Sequence, residues 1–461
     1  MSGSFEVRSP FDGRLLATLP LMDRQEVDRR VQSAAEAFEK HRETPAFQRA
    51  AWLDAIADGV AKRRAIFAMQ IVAEAGKPIT LARGEVDRAV MTFRASAGEA
   101  RSVHGELLPM DGVAPGAGHF GFCRRFPVGV VAGMTPFNFP LNLVAHKVGP
   151  ALASGNAILI KPSPKTPLTA MLLEEVLREA GVPEGLMQIV LCDNQDAVHF
   201  AQHPEVAVVS FTGSAEVGWK IKGLVPKKKV VLELGGNAAV IVDASANLEA
   251  AVPMIATGAF SNAGQSCISV QRIYVHESAL PAFRSALLAE IAEKIHTGDP
   301  VNDDVLNGPL IDRASLERVS VWVEEARGAG AQVLCGGRSE GSCYLPTVIE
   351  EPGRELRVVA EEVFGPVCTL HAFKDFGEAI TRVNDSRYGL QAGIFTANID
   401  QAIAAYHLLE AGAVLVNQVP TYRVESMPYG GGKDSGFGRE GVRYAMEEMT
   451  GLKSLIIKKG S

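Results

Sequence analysis

Val206-Ala-Val-Val-Ser-Phe-Thr-Gly-Ser-Ala-Glu-Val-Gly218 runs from an apolar stretch through a glycine turn into a helical pattern. A near-continuous apolar strand is one buried on both faces, and a strand feeding a helix through Gly213 and Ser214 is the repeating step of a parallel sheet. That step recurs. Apolar runs lie at Val128 to Ala132, Ala157 to Ile160, Met187 to Leu191, Val206 to Phe211, Val230 to Leu234 and Ala238 to Val242. Helix signals separate them, as where Thr169 to Ala180 closes on Gly181 and Pro183. The pattern predicts a doubly wound α/β sheet. A second α/β series from about Leu248 to Val424 has strands near Ser269 to Val275, Gln332 to Leu334, Val367 to Ala372, Ala392 to Thr396 and Ala413 to Val416. A second domain of the same class follows.

Outside these series, Asp23 to Glu106 reads as a run of amphipathic helices, with Val27, Val31, Ala34 and Phe38 on one stripe. A Gly- and Pro-rich stretch from Gly112 to Gly121 leads into Phe120 to Phe126, which alternates as a β-ribbon does. Lys453 to Lys458 holds a short apolar strand whose lone edge would be sticky, so it is expected to pair with a partner strand.

With 461 residues the chain is long enough for two to four structural units. A net charge of −7 gives no footprint for nucleic acid, and no run of 18 uncharged apolar residues predicts a membrane span. The N-terminus carries no apolar secretory core, and the six cysteines form no Cys-x-x-Cys pair, so a reduced, cytoplasmic setting without a metal site is expected.

Three segments carry candidate chemistry. Phe260-Ser-Asn-Ala-Gly-Gln-Ser-Cys-Ile-Ser-Val sets Cys267 in a polar turn ahead of a strand, where a thiol can be both fixed and reachable. Val230-Val-Leu-Glu-Leu-Gly-Gly puts Glu233 inside an apolar strand, where an unpaired carboxylate is costly enough to need a purpose. Gly133-Met-Thr-Pro-Phe-Asn-Phe-Pro places Asn138 at the expected start of a helix, either as a cap or as an amide donor to an oxyanion. Two further strand ends, Lys161 with Ser163 and Gly213 with Ser214, suit a nucleotide phosphate. Neither matches Gly-x-Gly-x-x-Gly.

Together and in this order, these segments resemble the aldehyde dehydrogenase superfamily. Glu361-Glu-Val-Phe-Gly-Pro-Val, Tyr388-Gly-Leu-Gln-Ala-Gly-Ile-Phe-Thr and Pro428-Tyr-Gly-Gly-Gly-Lys-Asp-Ser-Gly-Phe-Gly-Arg-Glu extend the likeness over essentially the whole chain. The resemblance implies two Rossmann-like domains, residues 1–111 with 128–235 for NAD(P) and 236–434 for catalysis. A small β oligomerisation element from 112–127 and 450–461 would serve a homodimer or homotetramer. It also implies that Cys267 attacks an aldehyde, that Asn138 holds the oxyanion and that Glu233 activates the water that hydrolyses a thioester. Glu233 argues against the coenzyme A-acylating branch. Pro136, Phe137, Lys161, Ser163, Gly213, Ser214, Gly218, Leu234, Glu362 and Phe364 would hold the cofactor. Pro164 stands where many NAD-preferring members carry Glu, which leaves NAD or NADP open.

Val419-Pro-Thr-Tyr-Arg-Val-Glu-Ser-Met-Pro-Tyr is similar to lactaldehyde- and phosphonoacetaldehyde-type members. It implies that Arg423, with His146 eight residues beyond Asn138, binds a hydroxyl or anionic group on a short aldehyde. Ser266, where enzymes for phosphorylated aldehydes carry Arg, argues against a strongly anionic one. The alternatives are a broad-specificity detoxifying enzyme and an inactive nucleotide-binding or structural paralogue. Gly451, where relatives often carry a carboxylate, bears on the subunit contact.

Overall fold

The apolar runs assemble into two mostly parallel sheets in the computed structural model, which describes residues 3–102 and 105–460. In spatial order the first sheet holds Gly436–Phe437, Lys229–Glu233, Val206–Thr212, Val130–Met134, Ala157–Lys161 and Met187–Ile189, and only Gly436–Phe437 runs antiparallel. Strand order reverses beside Val130–Met134. From there the chain proceeds outward through Ala157–Lys161 on one side and returns through Val206–Thr212 on the other. Ligands of open α/β sheets bind outside the carboxyl ends of the strands at such a point.

The second sheet orders Gln332–Cys335, Thr347–Glu350, Val367–Phe373, Val270–His276, Ala238–Val242, Gln391–Phe395 and Ala413–Val416, with only Gln332–Cys335 antiparallel. Ala238–Val242, grouped with the first series on apolar pattern alone, pairs here instead. Gly235 and Gly236 turn the chain out of the first sheet immediately after Glu233. Apolar patterning cannot distinguish two sheets that are both buried on both faces.

Four helices, Arg24–His41, Ala46–Lys62, Arg64–Ala75 and Ile79–Arg101, cover the first sheet's side of the molecule. Ile79–Arg101 buries Val86, Ala89, Phe93 and Ala97, a three-and-four spacing that keeps one face in the core. The helical stretch stops at Arg101, and Glu106 belongs to the strand Gly105–Leu108. That strand borders the ribbon His119–Pro127, whose other edge takes the C-terminal strand Thr450–Lys458 over nine residue pairs. The C-terminal strand therefore satisfies one edge within its own chain, and its outer edge pairs with no strand among the described residues. Among the described residues, no helix is long and apolar enough to cross a membrane.

Candidate active site

A cavity of about 260 Å³ gathers the carboxyl ends of the first sheet's strands, at 136–139, 212–214 and 233–235. Facing them are segments just ahead of second-sheet strands, at 266–268 and 362–364, and the loop residues Arg423, Tyr429 and Glu440. Cys267, Glu233 and Asn138 all line it.

Cys267 is presented by a turn in an unusual backbone conformation. Asn262, Ala263 and Gly264 have φ of 54°, 54° and 64°, a left-handed run that is strained at Ala263 and must be held from outside. Gln265 supplies that hold. Its buried amide donates to the Asn262 and Pro309 carbonyls and accepts from the Ile311 N–H. Gly236 packs so closely beneath that a Cβ there would lie 2.1 Å from the Cys267 carbonyl oxygen. Burial pushes the thiol up to about 12, with Glu362 and Glu233 adding to the rise and Tyr429 and Arg423 opposing it.

Glu233 ends its strand buried, and neither carboxylate oxygen has a hydrogen-bond partner among the described residues. Burial and then the Glu440 charge raise its pKa well above the ordinary value. Glu440 moves the other way. Burial opposes its ionisation, but Lys147, Arg423 and His146 bring it down to about 2. Of two neighbouring carboxyls, Glu440 therefore stays charged in a fixed network with Lys147 Nζ at 2.9 Å, while Glu233 is the one free to exchange a proton.

Asn138 donates through Nδ2 to the Gln265 carbonyl at 3.0 Å, which ties it to the turn carrying Cys267 and leaves its second N–H free. It is not a helix cap. The helix begins at Asn142, and its first N–H groups are taken by Glu85, which accepts from Leu141 and Asn142 at 2.9 and 3.1 Å. Glu85 is charge-paired with buried Lys77, so a carboxylate from another helix caps this one and frees Asn138 for the cavity.

The expected cofactor residues fall into two groups. Pro136, Phe137, Gly213, Ser214, Leu234, Glu362 and Phe364 line the cavity, and Phe137 meets Phe364 edge-on at 5.8 Å. Ser214 caps the helix Ala215–Leu224, and Glu362 accepts the Gly236 N–H at 2.9 Å. Thr212 adds a buried hydroxyl without a partner among the described residues. Lys161 is buried at its strand's end, Ser163 Oγ accepts the Lys165 N–H, and Gly218 packs on the Leu234 side chain; all three lie away from this cavity. Lys165 pairs with Asp312 at 3.0 Å. A helix N-terminus at the point of strand reversal, lining the cavity through Ser214 with the unpaired Thr212 hydroxyl beside it, fits a dinucleotide phosphate.

Arg423 reaches the cavity from the C-terminal loop. Its side chain is buried, sits 3.4 Å from Glu440 and covers the Tyr429 ring at 3.7 Å. His146 does not line the cavity and shares no helix face with Asn138, which lies outside the helix. Arg423 donates to its Nδ1 at 3.4 Å, leaving the Nε2 proton facing Glu425 at 2.5 Å. Burial and then the Arg423 charge lower the His146 pKa, while Glu425 and Glu440 oppose that fall. His146 thus supports Arg423 from behind.

Sequence reasoning missed four residues here: Arg88, Tyr429, Lys147 and Glu440. Arg88 lines the cavity from the helix Ile79–Arg101 and donates to Glu425 at 2.9 Å. Its Nη2 and the Nε of Arg423 are buried donors without partners among the described residues. Tyr429 and Glu440 lay within a recognised motif, which was the available signal.

A profile of the aldehyde dehydrogenase family matches residues 1–455. The chain is 41% identical over 453 residues to a protein of Priestia aryabhattai named 3-sulfolactaldehyde dehydrogenase, covering 98% of this chain and 94% of the relative. Aldehyde dehydrogenase 21 from Physcomitrella patens, solved in complex with the reaction product succinate, superposes with a TM-score of 0.97 at 38% identity over 99% of this chain and 95% of that one. Glyceraldehyde-3-phosphate dehydrogenase GapN from Methanocaldococcus jannaschii, complexed with NADP, gives a TM-score of 0.95 at 35% identity, with all of both chains covered. Matched along almost its whole length in sequence and in fold, the chain belongs to the aldehyde dehydrogenase family.

Proposed function

We propose that this chain oxidises a short aldehyde bearing an anionic or hydroxyl group to its carboxylic acid, using NAD or NADP. The observation that carries the reaction is the convergence of Cys267, Glu233 and Asn138 on one cavity beside the strand reversal. Cys267 Sγ adds to the carbonyl carbon, and the oxygen takes up negative charge facing the free Asn138 N–H and the Cys267 backbone N–H. A bound nicotinamide cofactor would supply the hydride acceptor for the oxidation. Pro136, Phe137, Gly213, Ser214, Leu234, Glu362 and Phe364 would hold it. Glu233 then takes a proton from a water attacking the thioester, and Cys267 departs as the thiolate. With both oxygens unpaired, Glu233 is equipped for that exchange.

Arg88 and Arg423 support the substrate class. Both line the cavity, so a carboxylate or sulfonate on the substrate would meet two guanidinium groups there. The relative named for 3-sulfolactaldehyde and the succinate-bound plant enzyme act on or hold molecules with such groups. Pro164 supplies no carboxylate to repel a 2′-phosphate, which leaves both cofactors usable. The open edge and exposed Leu452, Leu455, Ile456 and Ile457 of the C-terminal strand support a homodimer or homotetramer formed through that sheet.

A screen of short carboxylated, sulfonated, hydroxylated and alkyl aldehydes with each cofactor, read as reduced nicotinamide, tests this reading. Turnover should favour the anionic and hydroxylated members and vanish in Cys267→Ser. Turnover that survives Cys267→Ser would remove the reading.

A further inference from the structure

Tyr429 is a buried phenol whose hydroxyl lies 3.3 Å from Cys267 Sγ. A buried tyrosine hydroxyl needs a partner, and a neutral thiol is a weak one. A thiolate is a strong one, because hydrogen bonds to ionised acceptors are roughly twice as strong as neutral pairs.

The ring is held for this contact. Tyr429 and Glu440 exchange backbone hydrogen bonds at 2.9 and 2.7 Å, which anchors the residue to the carboxylate that organises Lys147 and Arg423. Arg423 covers the ring face at 3.7 Å, and Ile268 and Leu390 pack with Tyr429 and Cys267. The charged and titratable groups facing the sulfur are Glu233 from the strand Lys229–Glu233, Glu362 ahead of Val367–Phe373, and Arg423 and Tyr429 from the C-terminal loop. Burial and the two carboxyls disfavour the thiolate, and only Arg423 and Tyr429 favour it. Burial and the neighbouring sulfur push the phenol well above its ordinary range, so Tyr429 keeps its proton.

Resting on the reading of Cys267 as nucleophile, we propose that Tyr429 is a catalytic residue whose hydroxyl donates a hydrogen bond to the Cys267 thiolate. The thiol proton leaves by way of water to Glu233, which returns it to solvent before hydrolysis, and the phenol stays protonated and donates. The sulfur lone pair then forms the bond to the carbonyl carbon, and the carbonyl electron pair moves to the oxygen facing Asn138. When the acyl group leaves on hydrolysis, the same hydroxyl receives the departing thiolate.

The test compares iodoacetamide alkylation of the whole protein with that of Tyr429→Phe, quantifying the Cys267 peptide by mass spectrometry from pH ~6 to ~9. A hydrogen bond to a charged sulfur changes the thiolate population by roughly tenfold to a hundredfold, and about half of that on a logarithmic scale is offset by greater intrinsic nucleophilicity. Alkylation of Tyr429→Phe should therefore be about threefold to tenfold slower throughout, with NADPH affinity by fluorescence unchanged. Equal rates overturn the proposal and leave Cys267 as nucleophile. A variant that loses NADPH affinity in parallel points to packing alone and equally overturns it. Full turnover in Cys267→Ser would fail the underlying reading instead, whatever Tyr429→Phe shows.

Discussion

Cys267 shows why the proposed nucleophile, a buried thiol, depends on what surrounds it. Its thiol is pushed up to about 12 by burial, so the cavity must supply the stabilisation of negative charge that water would otherwise give. Arg423 lines the same cavity, where the proposed function gives it a second purpose. Arg423→Met should cut kcat/KM for a carboxylated aldehyde about tenfold to a hundredfold more than for hexanal, since a lost hydrogen bond to a charged group is worth about 1.5 to 3 kcal/mol. Equal losses on the two substrates would remove its recognition role. Cys267 and Glu233 stood out in the sequence because each sat in a local context its residue type rarely tolerates: a thiol in a polar turn and a carboxyl in an apolar strand. Arg88 was not. It occupies an amphipathic helix where an arginine ordinarily points to water, and its partner Glu425 is 337 residues away in the chain.

Elements set these residues in place through carboxylates that cap helices from elsewhere in the chain. Glu85 caps the helix that follows Asn138, and Glu74, at the end of Arg64–Ala75, accepts the Leu168 and Thr169 N–H groups of Leu168–Glu179 at 2.8 Å each. Neither is visible in a local capping pattern, which explains why Asn138 was expected at a helix start. Burial raises the Glu74 pKa from 4.5 to about 7 even against those hydrogen bonds. Because the folded pKa lies above the unfolded one, its stabilising contribution is complete below about 4.5 and is lost as pH rises through about 7. Glu74→Gln should not share that loss. Its stability relative to the parent, from denaturant midpoints, should rise by about 3 kcal/mol between pH ~4.5 and ~7 and then level off. A difference independent of pH would contradict this. Most strands of both sheets were legible as apolar runs to within a residue or two, but Thr347–Glu350, the short Gly436–Phe437 and the change of sheet between Glu233 and Ala238 were hidden.

At the scale of the molecule, two sheets meet so that carboxyl ends of one face the amino ends of the other, and the chain crosses between them at Gly235–Gly236 and again through the loop carrying Arg423, Tyr429 and Glu440. The third, three-stranded sheet stands apart with apolar side chains exposed. Leu455 and Ile457 share one face of its edge strand at 50% and 48% exposure. Leu455→Asp with Ile457→Asp should convert the proposed homo-oligomer to smaller species in sedimentation velocity; an unchanged distribution would contradict an interface on this sheet. The central claim concerns the whole cycle, namely that an acyl group rests on Cys267 and leaves by hydrolysis through Glu233. Rapid mixing of Glu233→Gln with aldehyde and cofactor, followed by mass analysis of the Cys267 peptide, tests it most directly. One equivalent of reduced nicotinamide should form in a burst, turnover should then stall, and Cys267 should carry the acyl mass. Steady turnover at the parent rate, with an unmodified Cys267, would contradict it.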